Sequence, residues 1–366
     1  MKKALFVCNM DSFHRNFNQP YVNRLNKRGY VVDLACSGDE EFSNIRNKFN
    51  VQFARRPLKL QNFNAYKQLC TIVRKEEYDL IYVSTPVPGA LARLALLGVK
   101  HGRIVYSAHG FNFYKGNSIL SNLVFILVER FLSRFTDCVF TMNQEDYING
   151  KKYIMSKEIY NVDGVGVDTT MFSKPTAEEK SILRRKYGYN DNQFLLIYPA
   201  DFHDRKNQTL LIDVVAILSK KYTNIKLLLP GTPWKAVEYK EYTQKLGIED
   251  YVDFLGYRRD IKDILKITDV LIASSINEGL PINIIEGLAT GLPIVATRVR
   301  GHVDLIIEGK NGFLFDLNNP QKAADAIEKL FLDRCLYNSI SETALESSKK
   351  YDIRIVAPQY DKIFKI

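Results

Sequence analysis

Two kinds of segment alternate along this chain, and their alternation narrows the range of possible folds. Short apolar runs rich in β-branched residues are each followed by a longer segment of helical periodicity, the pattern of parallel sheets with crossover helices. Two sets of such runs occur, at 4–8, 31–35, 80–84, 104–107 and 138–142, and at 194–198, 225–229, 252–255, 270–273 and 294–297. The sequence therefore predicts an α/β fold with two similar sheets.

The length of the chain also favours two domains. Its 366 residues exceed the size of roughly 250–300 residues at which a single core usually stops growing. Two glycines and a proline break the periodicity at 164–175, so we place a linker near 165–175. We expect Rossmann-like domains at 1–168 and 175–351 that face each other across a cleft. An amphipathic helix at about 352–366 is expected to pack back on the first domain.

The composition limits the partners without choosing one. Lys and Arg outnumber Asp and Glu by 51 to 41, and the net charge of +10 favours nucleic acid, an acidic lipid surface or a phosphorylated substrate. The sequence has no zinc finger, RNA-recognition aromatic motif or basic helix array, so nucleic acid is not expected. The five cysteines lack C-x-x-C spacing and are predicted to be free thiols in a reducing compartment.

Two segments bear on membranes. The basic and apolar N-terminal segment is interrupted by Asn9 and Asp11, which predicts a first strand rather than a signal peptide. The sequence has no run of 18 apolar residues, so a membrane-spanning helix is not expected. Segment 117–135 is amphipathic, with Arg130 and Arg134 near its end. It is either a core helix of the first domain or a helix that also touches a membrane surface.

The strongest local signal lies at 274–296, where a strand, a Gly-Leu-Pro turn and a helix follow one another. Pro281 suits the first turn of this helix, whose free N–H groups form an anion site that fits a diphosphate. Glu278 and Glu286 flank the helix start, and their carboxylates can accept hydrogen bonds from vicinal hydroxyls of a hexose and a ribose. Alternatively, they only complement the helix dipole or lie exposed to solvent.

Two other candidate sites follow predicted strands. Arg205 and Lys206 can neutralise the charge that develops on a departing nucleoside diphosphate, although a solvated basic loop has the same composition. His109 follows the run at 104–107, at the strand end where α/β sheets bind ligands. A lone histidine is more often structural. His/Cys clusters with metal-ligand spacing and a suitably placed Asp-x-Asp are missing from the sequence, so we expect no catalytic metal.

The spacing Glu278-x7-Glu286, followed by Gly291-Leu-Pro293, resembles the hallmark of the retaining GT-B glycosyltransferases of the family-4 kind. The resemblance extends over essentially the whole chain. Two departures stand out: Ala200-Asp201 replaces the usual Gly-Arg or Gly-Glu, and the loop at 9–17 lacks the Gly-Gly of many relatives. The first departure puts a role of Asp201 in doubt.

The resemblance implies roles for individual residues. Glu278 would bind hydroxyls of the donor sugar, Glu286 would bind the nucleotide ribose, and His109 would lie near the reacting centre. The other residues that it places in the site are Gly279, Leu280 and Pro281 for the sugar and phosphate, Gly256 and Tyr257 for a uracil base, and Asp11, His14 and Arg15 for the acceptor. A capped turn at 254–261 and a polar surface loop at 9–17 are the alternatives for the last two groups.

The predicted function is transfer of a glycosyl group, with retention, from a uridine diphosphate sugar to a hydroxyl acceptor, without a metal or other cofactor. The stretch His109-Gly-Phe-Asn-Phe-Tyr114 resembles that of enzymes that assemble capsules and exopolysaccharides on polyprenyl carriers, which implies a polyprenyl-diphosphate-linked saccharide as acceptor. The basic excess and the amphipathic segment 117–135, preceded by Phe111, Phe113, Tyr114 and Lys115, favour attachment to an anionic lipid surface at the cytoplasmic face of the cell membrane. The alternatives are a GT-B epimerase, a phosphorylase, which would need a pyridoxal lysine and a longer chain, and a non-catalytic nucleotide-sugar-binding subunit.

Overall fold

The computed structural model describes residues 1–54, 56–232 and 234–366. The chain forms two compact units, residues 1–166 with 354–366, and residues 167–353. Each unit contains a sheet whose strands pair in parallel and are joined by helices. The prediction of an α/β fold with two Rossmann-like domains is therefore confirmed.

The first unit has the strand order β3-β2-β1-β4-β5-β6-β7. Its strands are β1 (Lys2–Met10), β2 (Tyr30–Ser37), β3 (Asn47–Asn50), β4 (Leu80–Ser84), β5 (Arg103–Ser107), β6 (Cys138–Thr141) and β7 (Glu158–Asn161). Its helices are α1 (Asp11–Phe13), α2 (Gln19–Lys27), α3 (Leu60–Lys75), α4 (Pro86–Ala95), α5 (Ile119–Ser133), α6 (Gln144–Tyr153) and α15 (Ile353–Phe364). A π-helical turn, His14–Asn18, connects α1 to α2.

The second unit has the strand order β10-β9-β8-β11-β12-β13. Its strands are β8 (Phe194–Ile197), β9 (Ile225–Pro230), β10 (Val252–Gly256), β11 (Val270–Ala273), β12 (Ile294–Thr297) and β13 (Gly312–Phe315). Its helices are α7 (Ala177–Lys186), α8 (Gln208–Leu218), α9 (Ala236–Leu246), α10 (Ile261–Ile267), α11 (Ile282–Ala289), α12 (His302–Leu305), α13 (Pro320–Leu332) and α14 (Arg334–Ser348).

The central strands are apolar on both faces. Every residue of β4 (LIYVS) and of β8 (FLLI) is buried, as is typical of parallel strands covered by helices on both sides. Polar side chains are therefore excluded from most of these strands and collect in the loops that follow them. Those loops contain the candidate site residues.

Helix α15 completes the first unit. The rings of Tyr360 and Tyr21 stack with their centroids 3.8 Å apart, and Asp361 forms ion pairs with Arg24 and Arg28. Tyr360 and Phe364 are both buried. The core of the first unit is thus built from both ends of the described chain.

Candidate active site

Glu278 lies in the loop after β11 and exposes only 7% of its surface. Lys206 Nζ donates to its Oε1 at 2.6 Å, and an Arg205 guanidinium nitrogen donates to its Oε2 at 2.8 Å. Burial by itself would raise the pKa of Glu278, but the two cations outweigh this effect and lower the pKa to about 2. The carboxylate is therefore charged at neutral pH, and three candidate residues lie in direct contact.

The loops that contribute these charges are joined to each other by backbone contacts. Arg205 and Lys206 belong to a 3₁₀ turn, Asp204–Lys206, after β8. Ile276 N donates to Arg205 O, and Ser274 Oγ donates to Lys206 O, both at 2.8 Å. The turn ends at Asn207, whose φ of 53° is left-handed, a conformation that asparagine tolerates better than most residues. The chain can therefore pass directly from the two cations into α8.

A buried chain of hydroxyl groups leads to Glu278 through Ser275. Ser275 Oγ donates to Glu278 Oε1 at 2.7 Å and lies 2.7 Å from the hydroxyl of Tyr198. Thr297 Oγ1 donates to Ser275 O at 2.6 Å, and His302 Nδ1 lies 2.8 Å from Thr297 O. Burial lowers the pKa of His302 to about 4, so its imidazole is neutral at pH 7. These residues were not predicted from the sequence, because isolated Ser, Tyr, Thr and His residues carry no local signal.

The predicted helix start is present. Pro281 occupies the N-cap position of α11, and Asn283 Nδ2 donates to Pro199 O at 3.0 Å, which ties the helix to the end of β8. Leu280 is half-buried beside it. The segment after β12 packs directly on this turn, since a Cβ atom at Gly301 would lie 2.7 Å from Gly279 O. Ile284 N donates to Asn283 Oδ1 at 3.0 Å, and the start of α11 carries the partial positive charge of the helix dipole.

Glu286 differs from Glu278 in its electrostatic environment. It is the fifth residue of α11 and is half-buried. Among the residues that the structure describes, no cation forms an ion pair with it, and burial raises its pKa to about 7. Its carboxylate therefore has acceptor capacity that the protein does not use.

Gly256 and Tyr257 lie at the carboxyl end of β10. Strands β9 and β8 separate β10 from β11, the strand that precedes Glu278. Gly256 has a left-handed φ of 65°, and its carbonyl accepts a hydrogen bond from Gly231 N at 2.8 Å. Tyr257 is 64% exposed. These residues are at the same edge of the sheet as Glu278 but do not contact it.

In the first unit, His109 follows β5 and lies among aromatic rings. Its ring centroid is 5.0 Å from that of Phe13 and 6.4 Å from that of Phe17. Nε2 of His109 is buried without a hydrogen-bond partner in the described chain, and burial lowers its pKa to about 4. The imidazole is therefore neutral at physiological pH and cannot neutralise a diphosphate.

The three residues predicted to bind the acceptor have different surroundings. Arg15 is half-exposed and pairs with Glu40 at 2.7 Å. Asp11 accepts a hydrogen bond from the backbone of Glu40 at 3.1 Å and thereby holds the loop after β2. His14 is fully buried, with its ring centroid 4.7 Å from that of Phe42. The prediction that His14 contacts an acceptor is corrected, because this side chain has no accessible surface.

Asp201, whose role was in doubt, has a structural contact. Its Oδ1 accepts a hydrogen bond from Thr232 N at 3.0 Å and so holds the loop after β9. In the described ranges, no group of three or more His, Cys, Asp or Glu side chains is arranged to hold a metal ion.

Comparison with known proteins identifies the family. The model described as glycosyl transferases group 1 matches residues 179–347, and the model described as glycosyl transferase 4-like matches residues 3–143. EpsD of Bacillus subtilis (strain 168), which its name assigns to the glycosyltransferases, is 36% identical over 366 residues, covering 98% of this chain and 96% of EpsD. The chain therefore belongs to the group 1 glycosyltransferases and is an enzyme of that class.

Another relative is the UDP-Gal:alpha-D-GlcNAc-diphosphoundecaprenol alpha-1,3-galactosyltransferase of Escherichia coli. It is 26% identical over 328 residues, covering 84% of this chain and 81% of its own length. Two solved structures share the GT-B fold. Sucrose-phosphate synthase of Thermosynechococcus elongatus has a TM-score of 0.84 at 17% identity, covering 100% of this chain and 98% of its own. HepE of Anabaena in complex with UDP-glucose has a TM-score of 0.81 at 20% identity, covering 100% of both chains.

Proposed function

We propose that the enzyme transfers a sugar, with retention, from a uridine diphosphate sugar to a hydroxyl group of a polyprenyl-diphosphate-linked saccharide in bacterial surface polysaccharide synthesis. The observation that carries the proposal is the contact of Glu278 with Arg205 and Lys206 beside the start of α11. This cluster combines an acceptor for sugar hydroxyls with two cations and the positive end of a helix dipole for a diphosphate.

In the proposed reaction, the bond between C1 of the sugar and the diphosphate oxygen breaks, and the acceptor oxygen bonds to C1 on the same face. Arg205, Lys206 and the start of α11 stabilise the charge that forms on the departing diphosphate. The acceptor proton passes to that diphosphate. No divalent metal is needed, because the protein supplies the positive charge. No covalent nucleophile is needed, because the acceptor attacks C1 from the face that the diphosphate leaves.

The remaining candidates bind the two substrates. Glu278 holds hydroxyls of the transferred sugar, Glu286 holds the ribose, and Gly256 and Tyr257 meet the base. In the first unit, His109 lies at the reacting centre, and Arg15 contacts the acceptor. The second unit is then the nucleotide-sugar-binding domain and the first the acceptor-binding domain.

A lipid-linked acceptor is supported by a relative and by one helix. The Escherichia coli relative is named for a diphosphoundecaprenol-linked acceptor. Helix α5 has a large apolar surface: exposed fractions of 38–88% occur at Ile119, Leu120, Leu123, Val124, Leu127, Val128, Phe131 and, just beyond it, Phe135. Leaving so many large apolar side chains in water is unfavourable. The exposed cations Arg130 and Arg134 lie on or next to this surface.

We therefore propose that α5 lies flat on an anionic membrane surface at the cytoplasmic face. Within the described residues, no helix is both long and apolar enough to cross a membrane. The measurement is sedimentation with liposomes of neutral and of anionic lipid at several salt concentrations. Anionic vesicles should bind the protein at low salt, and a Leu123→Glu/Leu127→Glu variant should stay in the supernatant.

The control for that variant is Ile182→Glu, which adds charge at a half-exposed apolar residue of the second unit. It should bind vesicles as the wild type does. If the wild type remains in the supernatant with anionic vesicles at low salt, membrane attachment is wrong and a soluble acceptor is indicated.

The transfer reaction is tested by incubating the enzyme with a panel of nucleotide sugars and measuring donor hydrolysis by mass spectrometry. Glu278→Gln, which keeps the shape of the side chain but removes its charge, should abolish turnover. Anomeric configuration of a transfer product, read by nuclear magnetic resonance, tests retention. Conversion of one donor sugar to its epimer without hydrolysis or transfer would instead identify an epimerase.

A further inference from the structure

Trp234, the one tryptophan in the sequence, is 77% exposed and lies in the loop after β9. Tryptophan is usually well buried because of its large apolar surface. Trp234 has no part in the proposed sugar transfer, although the proposed nucleotide site lies at the same edge of this sheet.

The described residues near Trp234 form hydrogen bonds with the loop after β8. Thr232 donates through N to Asp201 Oδ1 at 3.0 Å, and its carbonyl accepts from Phe202 N at 3.1 Å and from Trp234 N at 3.0 Å. Lys235 Nζ donates to Asp204 Oδ1 at 2.5 Å, next to the two cations of the site. The exposed indole therefore lies between two residues, Thr232 and Lys235, that are bonded to the loop after β8.

The strand order places this loop between two parts of the proposed nucleotide site. Strands β10, β9 and β8 are neighbours, and the loops after them carry Tyr257, Trp234 and Lys206 in that order. The first is proposed to meet the base and the last the diphosphate. In a nucleoside diphosphate the ribose joins the base to the diphosphate. A nucleotide bound to the loops after β10 and β8 therefore passes the loop after β9, which carries Trp234.

We propose that Trp234 stacks on the nucleobase of the donor. The inference rests on the proposed function, because it assumes that the second unit binds a nucleoside diphosphate sugar. An exposed indole has a flat π-face of about the area of a nucleobase. Stacking removes this face and one face of the base from water. Base stacking on an aromatic side chain contributes about 1–3 kcal/mol as measured by alanine substitution.

The sequence provides a direct test, because the fluorescence of the protein comes from one indole when it is excited at the red edge of the tryptophan band. Titration with UDP should quench this fluorescence saturably, with the dissociation constant that calorimetry gives on the same protein. Inorganic diphosphate, which lacks a base, should compete with UDP but leave the fluorescence largely unchanged.

Substitution supplies the second measurement. Trp234→Ala should weaken UDP binding by roughly 5- to 150-fold and leave the affinity for inorganic diphosphate unchanged. Trp234→Phe keeps a stacking ring and should retain most of the UDP affinity. Val237→Ala, at a 69% exposed residue at the start of α9, is the matched control and should bind UDP as the wild type does.

Two results would overturn the proposal while leaving the proposed function intact. One is UDP binding in calorimetry with unchanged fluorescence and unchanged affinity in Trp234→Ala. The other is an equal loss of UDP and inorganic diphosphate affinity in that variant, which would mean that the loop rather than the base contact had changed. If the wild type does not bind UDP at all, the proposed donor is wrong, and the stacking proposal fails with it.

Discussion

The carboxyl edges of the two sheets differ in how their catalytic candidates, Glu278 and His109, are held. In the second unit, Glu278 is bound by Arg205, Lys206 and Ser275, although Asn277 Oδ1 and Gln208 Oε1 near this cluster are buried without a hydrogen-bond partner in the described chain. In the first unit, Nε2 of His109 is itself buried without such a partner. Buried polar atoms normally form a hydrogen bond, so His109 still has one to gain.

The proposed donor and acceptor ends are therefore prepared differently for their substrates. A paired network has fixed its geometry before the substrate arrives, which is what stabilisation of developing charge requires. A side chain with an unpaired polar atom still has a hydrogen bond to gain when a partner arrives. Four predictions test whether the charged edge behaves in this preorganised way.

Among these four predictions, Lys206→Ala is expected to have the largest effect. Turnover should fall by roughly 10²-fold or more, because this cation acts on charge formed in the transition state. The measurement is steady-state kinetics on the donor found in the panel, with thermal unfolding to check that the variant is folded.

Lys226→Ala is the matched control, since Lys226 also pairs with a carboxylate, Asp253, at 3.1 Å, but near the amino end of β9. It should keep normal turnover. Normal turnover of Lys206→Ala with only a raised Michaelis constant would show that the residue binds the ground-state donor and does not favour the transition state.

A smaller effect is expected for Glu286→Ala. The loss of a carboxylate that grips the ribose should weaken UDP binding by about 1–3 kcal/mol, as for hydrogen bonds to charged groups. Calorimetric titration with UDP checks this. An affinity equal to that of the wild type would remove Glu286 from the ribose site and leave it a buried carboxyl without a ligand.

The raised pKa of Glu286 predicts a dependence of stability on pH. The ordinary value of 4.5 applies to the unfolded chain and the value of about 7 to the folded protein. Between them the folded state binds more protons, so the free energy of unfolding falls as the pH rises through this window. Glu286→Gln removes the contribution and should be more stable than the wild type at about pH 8, by on the order of 3 kcal/mol at most.

Thermal unfolding at about pH 5 and about pH 8 provides the measurement. The advantage of Glu286→Gln should be largest at the higher pH and shrink when UDP is present, because ribose hydroxyls stabilise the charged form of the wild type. An advantage that is the same at both pH values would contradict a titrating Glu286.

The smallest effect is expected for removal of divalent ions. Activity should persist in excess EDTA, since Arg205, Lys206 and the start of α11 provide the positive charge that a metal would otherwise supply. Complete loss of activity that manganese or magnesium restores would overturn this prediction. It would also mean that the charged cluster around Glu278 needs a bound divalent ion to be complete.

The sequence predicted the features that repeat along the chain and those that lie close together in one motif. The central strands followed from apolar runs, and Glu278 and Glu286 from their spacing on either side of a helix start. Strands β3, β7 and β13 were missed, each four residues long and at a sheet edge. NKFN and EIYN in β3 and β7 carry no apolar run, because an edge strand can stay half-exposed.

Tertiary contacts were beyond such patterns. Ser275 approaches Tyr198 and Thr297 only because β8, β11 and β12 are neighbours in the folded sheet. The position of His14 was misjudged for a related reason. Its residue type suggested a surface loop, whereas the π-helical turn places it beneath Phe42.

Helix α15 has a consequence for how the protein is made. Its Tyr360 packs on Tyr21 and Phe140, and its Phe364 packs on Phe6 and Tyr82. The ribosome delivers these rings only after the whole second unit has been synthesised, so the first unit waits with part of its core uncovered while the second can already fold. A fragment that ends at residue 166 never receives the helix. Its uncovered aromatic surface makes it prone to aggregate during expression, and supplying residues 353–366 as a peptide is the natural remedy.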